Sequence, residues 1–242
     1  MSPSPNLTLS ATSTDDLRSQ LRGIDITVPL VSEGRTKKHR EQYMMARFFA
    51  TTAGTVRLHF FLDVVHGEKP DFVLRLANVE VGVECVEAVP TEHHHIEDLR
   101  ERLYPEAMNY GQHFNPGEEN FTLAEKHEIA SGQLAGSPWM PETAKRNWVA
   151  AMEYVVEGKT AKLRRGNYSS NRSTWLLVQD EWPNSLHFYP DQVRTAAAAL
   201  LQRLAPCLTP PAFQAIFIAC GNQMLCFQDG LLEVSQIQDL WK

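Results

Sequence analysis

A chain of 242 residues is long enough to bury a full core, as one large domain or two small ones. With 43% hydrophobic residues and five tryptophans it is not an intrinsically disordered chain, and no apolar run nears the roughly 20 residues that span a bilayer. The net charge of −6 and pI near 5.8 exclude a surface that grips nucleic acid by bulk electrostatics.

The amino-terminal stretch MSPSPNLTLSATSTDD has neither a basic region followed by an apolar one nor the periodicity of a helix. It is expected to be a mobile tail over residues 1–15 of a cytoplasmic, non-membrane protein, with a single α/β domain over 16–242. STDDLRSQLRG reads as a short capped helix ended by Gly23, and IDITVPLV as a first strand or an extended lead-in. From Thr36 to Ala53, Tyr43, Met44, Arg47, Phe48 and Ala50 fall at helical spacing, so the pattern predicts an amphipathic helix ending near Gly54. Val56, Leu58 and Phe60 alternate with polar residues and open a predicted strand over 56–65. DFVLRLA and VEVGVECVEAV then predict a two-stranded hairpin turning at Ala77–Asn78.

PTEHHHIEDLRERLY predicts a helix capped by Thr91, and residues 105–136, broken at Pro116–Gly117, an irregular or helical insertion. The longest helical pattern begins at Pro141, with Trp148, Ala151, Met152, Val155 and Val156 on one stripe. A buried strand (TWLLVQD), a helix (DQVRTAAAALLQRLA), a second buried strand (AFQAIFIAC) and a hairpin partner (QMLCFQDG) complete the chain. This order predicts an α/β (α+β) fold with a central mixed sheet flanked by helices. The four cysteines lack the paired spacing of a zinc site and read as buried free thiols.

Within the hairpin, the carboxylates of Asp71 and Glu84 stand out. Buried charge is costly unless it is paired, protonated or bound to a cation, so they either face water or converge on something positive. Their place on consecutive strands predicts that they meet at one edge of the sheet, close enough to share a cation.

The element order and three short motifs resemble the PD-(D/E)xK nuclease family. Its core is a helix, three antiparallel strands, a helix and a further strand; its motifs are a glutamate on the first helix, Pro-Asp opening the second strand and (D/E)-x-K on the third. Here REQYMMARFF offers Glu41, KPDF offers Asp71 and GVECVEA offers Glu84, and the resemblance spans Thr36 to Ile218. It implies a restriction-endonuclease-like core with a helical insertion, a Mg²⁺ held by Asp71 and Glu84, Glu41 beside them, and DNA as substrate. Val86 stands where the family carries its lysine. Lys159 and Lys162 on the long helix are the substitutes within the chain, and all five residues are carried forward as candidate catalytic groups.

Carboxylates suit such chemistry, because Mg²⁺ takes oxygen ligands, keeps several waters, and activates water for attack on phosphorus. Two readings follow. One is a Mg²⁺-dependent nuclease acting on DNA. The other is a binding protein on a degenerate nuclease scaffold, such as an immunity or antitoxin protein whose acidic surface neutralises a basic protein toxin. Either is compatible with a homo-oligomer. His93, His94 and His95 cannot all face one zinc, since consecutive helical residues splay by about 100°. There is no G-x-S-x-G elbow and no phosphate-binding G-x-x-x-x-G-K-[ST] loop.

Overall fold

The computed structural model describes residues 6–30, 33–77, 79–107, 113–117, 121–134, 136, 140–166, 173–183 and 190–241. The fold is α+β; among the described residues it has six α-helices and an eight-stranded mixed sheet in which β1 to β8 follow one another in spatial as in sequence order. The chain divides into two compact units: residues 1–86, 159–179 and 205–242 form the first, 87–158 and 180–204 the second.

In the first unit, β1 (Leu9–Ala11) lies in the stretch expected to be a tail, yet it pairs with β2 (Leu62–His66), Leu9 opposite Val64. Residues 1–5 lie outside the described residues. Helix α1 (Thr14–Arg22) starts where Ser13 accepts a hydrogen bond from Asp16 N–H at 3.2 Å, with Asp15 and Asp16 in its first turn. It buries Leu17 and Leu21, one turn apart. Residues 24–30 form no strand. Helix α2 (Lys37–Thr52) buries Met45, Phe48, Phe49 and Thr52 among others.

Strand β2 begins only at Leu62, six residues later than its alternation suggests, because β3 (Phe72–Leu76) offers just five residues to pair with it. β3 turns into β4 (Val79–Ala88) through Ala77, whose φ is 48°; Asn78 of that turn lies outside the described residues. β5 (Ser173–Asp180) runs parallel to β6 (Ala215–Cys220), which a helix separates from it in sequence, as a parallel pair requires. β6 turns back into β7 (Gln223–Gln228). β8 (Leu231–Gln236) follows through Asp229 and Gly230, both at positive φ, in the Asp-Gly turn that suits a tight hairpin. The core of this unit joins Leu17, Phe48 and Phe49 to Leu62, Phe72 and Phe217. Phe48 stands edge-on to Phe217 with ring centroids 4.8 Å apart, and Trp175 lies 5.5 Å from Phe217.

The second unit is helical: α3 (Thr91–Leu103), α4 (Leu123–Ser131), α5 (Pro141–Arg164) up to Gly158, and α6 (Pro190–Leu204). Pro90, not Thr91, is the cap residue of α3. Residues 108–112, 118–120 and 135 of the expected insertion lie outside the described residues; its later part forms α4, capped reciprocally by Thr122 and Glu125. Trp148 and Trp182 are buried and donate their indole N–H groups to Asp180 at 2.7 Å and Asn147 at 2.9 Å. All four cysteines are buried free thiols. Among the described residues no helix is long and apolar enough to cross a membrane.

Candidate functional site

Phe72 stands opposite Val83 in the β3–β4 ladder. Continuing that register one residue sets Asp71 opposite Glu84, at one end of the hairpin. These are interior strands, with β1 and β2 on one side and β5 to β8 on the other, so the pair sits at a strand end rather than at the sheet's edge. Pro70 fixes where Asp71 starts. Its ring lies over Gly82, where a Cβ would come within 2.9 Å of Pro70 Cγ.

Asp71 is 2% exposed and Glu84 4%, so neither is a solvated strand residue. Asp71 Oδ2 accepts a hydrogen bond from Cys85 N–H at 2.8 Å, and Oδ1 accepts one from Lys37 Nζ at 2.6 Å. Lys37, in the first turn of α2, also stands 2.6 Å from Oε1 of Glu41, one turn further on. The other oxygen of Glu41 lies 2.9 Å from His66 Nε2. The His66 ring is fully buried and stacks on Phe72 with centroids 4.3 Å apart. From α5, Lys159 Nζ comes within 3.3 Å of Glu84 Oε2 and 3.3 Å of the Cys85 carbonyl oxygen. One residue therefore joins the two halves: the Cys85 N–H donates to Asp71, and the Cys85 carbonyl oxygen accepts from Lys159.

The two acids of the Lys37 pair are shifted in opposite directions, because their partners offset burial at one and not at the other. Burial pushes Asp71 up, against the pull of Lys37 and the Cys85 N–H, and the neighbouring Glu41 carboxylate pushes it further. Burial acts on Glu41 too, but its contacts with His66, Lys37 and Asp71 outweigh it and hold its carboxyl at about 2. Glu41 is the ionised member and Asp71 the more proton-avid one, as in acid–base pairs that share a site. Lys37 loses to burial but gains more from Asp71 and Glu41, which keep its ammonium above the ordinary lysine range. Burial, followed by the nearby carboxylates, pushes the Cys85 thiol far up, so it is no nucleophile at neutral pH.

The structure thus brings together Glu41, Asp71, Glu84 and Lys159 of the five candidates. Lys162 is exposed, and the contact to Glu84 is made from one turn earlier. Sequence reading missed both His66 and Lys37 as members. The signals were present: Leu62, Val64 and His66 share the period-two face of β2, and Lys37 and Glu41 have i, i+4 spacing. His93 belongs to the second unit, where burial, aided by His94 and Arg100, pulls it down to about 4 and its ring meets Phe114 edge-on.

The donor chemistry suits Mg²⁺, for the side chains are carboxylates, and the ammonium of Lys37 is a stand-in cation shared by Glu41 and Asp71. The grouping is by pairs: among the described residues no cluster of three or more His, Cys, Asp or Glu side chains is disposed to hold a metal. Such an ion would draw its remaining ligands from water or substrate, as Mg²⁺ commonly does. Comparison with protein-family models, curated proteins and solved structures finds no match for this chain.

Proposed function

We propose that the chain is a Mg²⁺-dependent nuclease acting on DNA phosphodiesters, with the lysine of its PD-(D/E)xK-like motif moved from β4 to α5. The observation that supports it most is Lys159 Nζ at 3.3 Å from Glu84 Oε2. Val86 leaves the strand without a lysine, and the long helix returns one to the same carboxylate. A fold selected only for stability gains little from buried ion pairs, which apolar residues replace at no loss, whereas active sites collect such groups.

Asp71 and Glu84 would hold Mg²⁺, which supplies neutralisation of charge at phosphorus and a bound water of lowered pKa. The chain's own residues do the positioning. Lys159 is fixed by Glu84 and by the Cys85 carbonyl; an ammonium has three N–H groups, enough to keep both contacts and orient an attacking water. Glu41, itself held by His66, fixes the Asp71 carboxyl.

A second reading, a binding protein on a degenerate nuclease scaffold that neutralises a basic toxin, draws support from Lys37 standing in the cation position and from the net charge of −6. Plasmid and single-stranded DNA incubated in Mg²⁺ and in Mn²⁺ with wild type and Glu84→Gln separate the two. The nuclease reading expects cleavage by wild type only, with Lys159→Ala slower by about tenfold or more. No metal-dependent cleavage, or equal cleavage by wild type and Glu84→Gln, discards it.

A further inference from the structure

We infer that Lys37 is the site's own removable cation, so that a divalent metal enters between Glu41 and Asp71 only by exchanging with its ammonium. The inference rests on the metal reading above and adds to its Asp71–Glu84 ion a position between Asp71 and Glu41, the two carboxylates that the ammonium bridges.

Lys37 Nζ lies 2.6 Å from Glu41 Oε1 and 2.6 Å from Asp71 Oδ1. A divalent ion bound to the same two oxygens would sit at about 2.0–2.6 Å from each, which is the volume the ammonium fills. Two cations so close would repel strongly in a buried setting, so occupancy is exclusive. The partners differ in freedom. The side chains of Asp71 and Glu41 are 3% and 5% exposed, that of Lys37 64%. Packing holds the carboxylates, while the lysine stem lies in water and can swing away without opening the core.

The helix itself does not hold Lys37 there. The first turn of α2 contains no acidic residue and carries Lys37, Lys38 and Arg40, although a helix amino terminus favours anions. What holds the ammonium in place is the carboxylate pair. Glu41 Oε1 is buried and receives no well-directed hydrogen bond; it meets Lys37 as a charge, an interaction that another cation can replace.

The test is a Mn²⁺ titration, read from the electron paramagnetic resonance signal of free Mn²⁺, of wild type, Lys37→Gln, Lys37→Arg, Lys38→Gln and the double variant Lys37→Gln/Asp71→Asn. Exchange requires Lys37→Gln to bind Mn²⁺ at least about tenfold more tightly than wild type, Lys37→Arg and Lys38→Gln to stay near wild type, and Asp71→Asn to remove the gain. Unchanged or weaker binding by Lys37→Gln overturns the inference. So does an equal gain in Lys38→Gln, or one that survives Asp71→Asn. Because Lys37→Gln leaves buried carboxylates without their counter-ion, thermal unfolding is followed over the same Mn²⁺ range. A larger metal-dependent rise in Tm for Lys37→Gln agrees with exchange, and an equal rise contradicts it. A gain in Lys37→Gln without DNA cleavage by any variant keeps the exchange and discards the nuclease. Cleavage by wild type with no such gain does the reverse.

Discussion

Two interior hairpins of one sheet have been filled in opposite ways. β6 is buried along all six residues, Ala-Ile-Phe-Ile-Ala-Cys, and β7 along five of its six; burial pushes the Cys226 thiol of β7 up to about 12. β3 and β4 present the same kind of apolar face through Phe72, Leu74, Val81 and Val83, yet at one end they bring Asp71 and Glu84 into contact with two lysines. The sheet does not require charge in its interior, as β6–β7 shows. The ion-pair cluster is an addition to the fold, and its cost in desolvation sets it apart from packing.

The largest expected effect breaks the apolar member. Phe217 is 1% exposed and packs against Phe48 and Trp175. Phe217→Ala should cost about 3–5 kcal/mol, read as a lower urea midpoint. Metal binding per folded molecule should not change, since Phe217 touches none of the cluster's charged groups. A loss of less than about 1 kcal/mol would show that β6–β7 is not the rigid half of the comparison.

The next effect sharpens the charged member through pH. Folding holds the carboxyl of Glu41 at about 2, below the 4.5 of an ordinary glutamate side chain. A group depressed by folding stabilises the protein above its unfolded pKa, and that contribution is lost as pH falls through the folded value. Wild type should therefore lose stability between pH 4.5 and about 2 through Glu41, by no more than about 3 kcal/mol, and Glu41→Gln should flatten this limb. Asp71 has the opposite sign. Its raised carboxyl makes the fold bind protons more readily than the unfolded chain, so its contribution falls as pH rises through its own range. Denaturant titrations at stepped pH on wild type and Glu41→Gln measure the difference; identical acid limbs would contradict the ion-pair assignment.

These residues also show what a sequence discloses. Helices α1 and α2 and the strands β3 to β7 follow from apolar periodicity, and Asp71 falls opposite Glu84 because the register of β3 on β4 continues to the strand end. The edges were harder. β1 contributes three residues with only Leu9 and Ala11 buried, too few for a period, while β8 is almost wholly solvent-facing and was announced only by Asp229–Gly230. α5 reads as one unbroken helical pattern and is one helix, although it runs from the second unit into the first. In the site, strand register disclosed the carboxylates, but which lysine meets which acid depends on the aim of α5 and the first turn of α2, which no local pattern encodes.

The smallest expected effect tests whether the hairpin's backbone, rather than its charges alone, sets the cluster. Gly82 lies in the middle of β4 without positive φ, so a side chain is excluded by contact, not by conformation. A Cβ there would meet Pro70 Cγ at 2.9 Å and Pro70 Cβ at 3.3 Å, and a proline ring cannot rotate out of the way. Gly82→Ala must displace Pro70, and Asp71 is the next residue. The strand itself should tolerate alanine, so the net cost should be only about 1–2 kcal/mol. The displacement should still weaken the contact between Asp71 and the Cys85 N–H, which is 2.8 Å in the wild type. Amide hydrogen exchange resolves this: protection of the Cys85 N–H should fall more than that of Phe217 or Leu225, whose strands form the apolar hairpin. A uniform fall would show that Gly82→Ala only lowers global stability and that Pro70 does not aim Asp71.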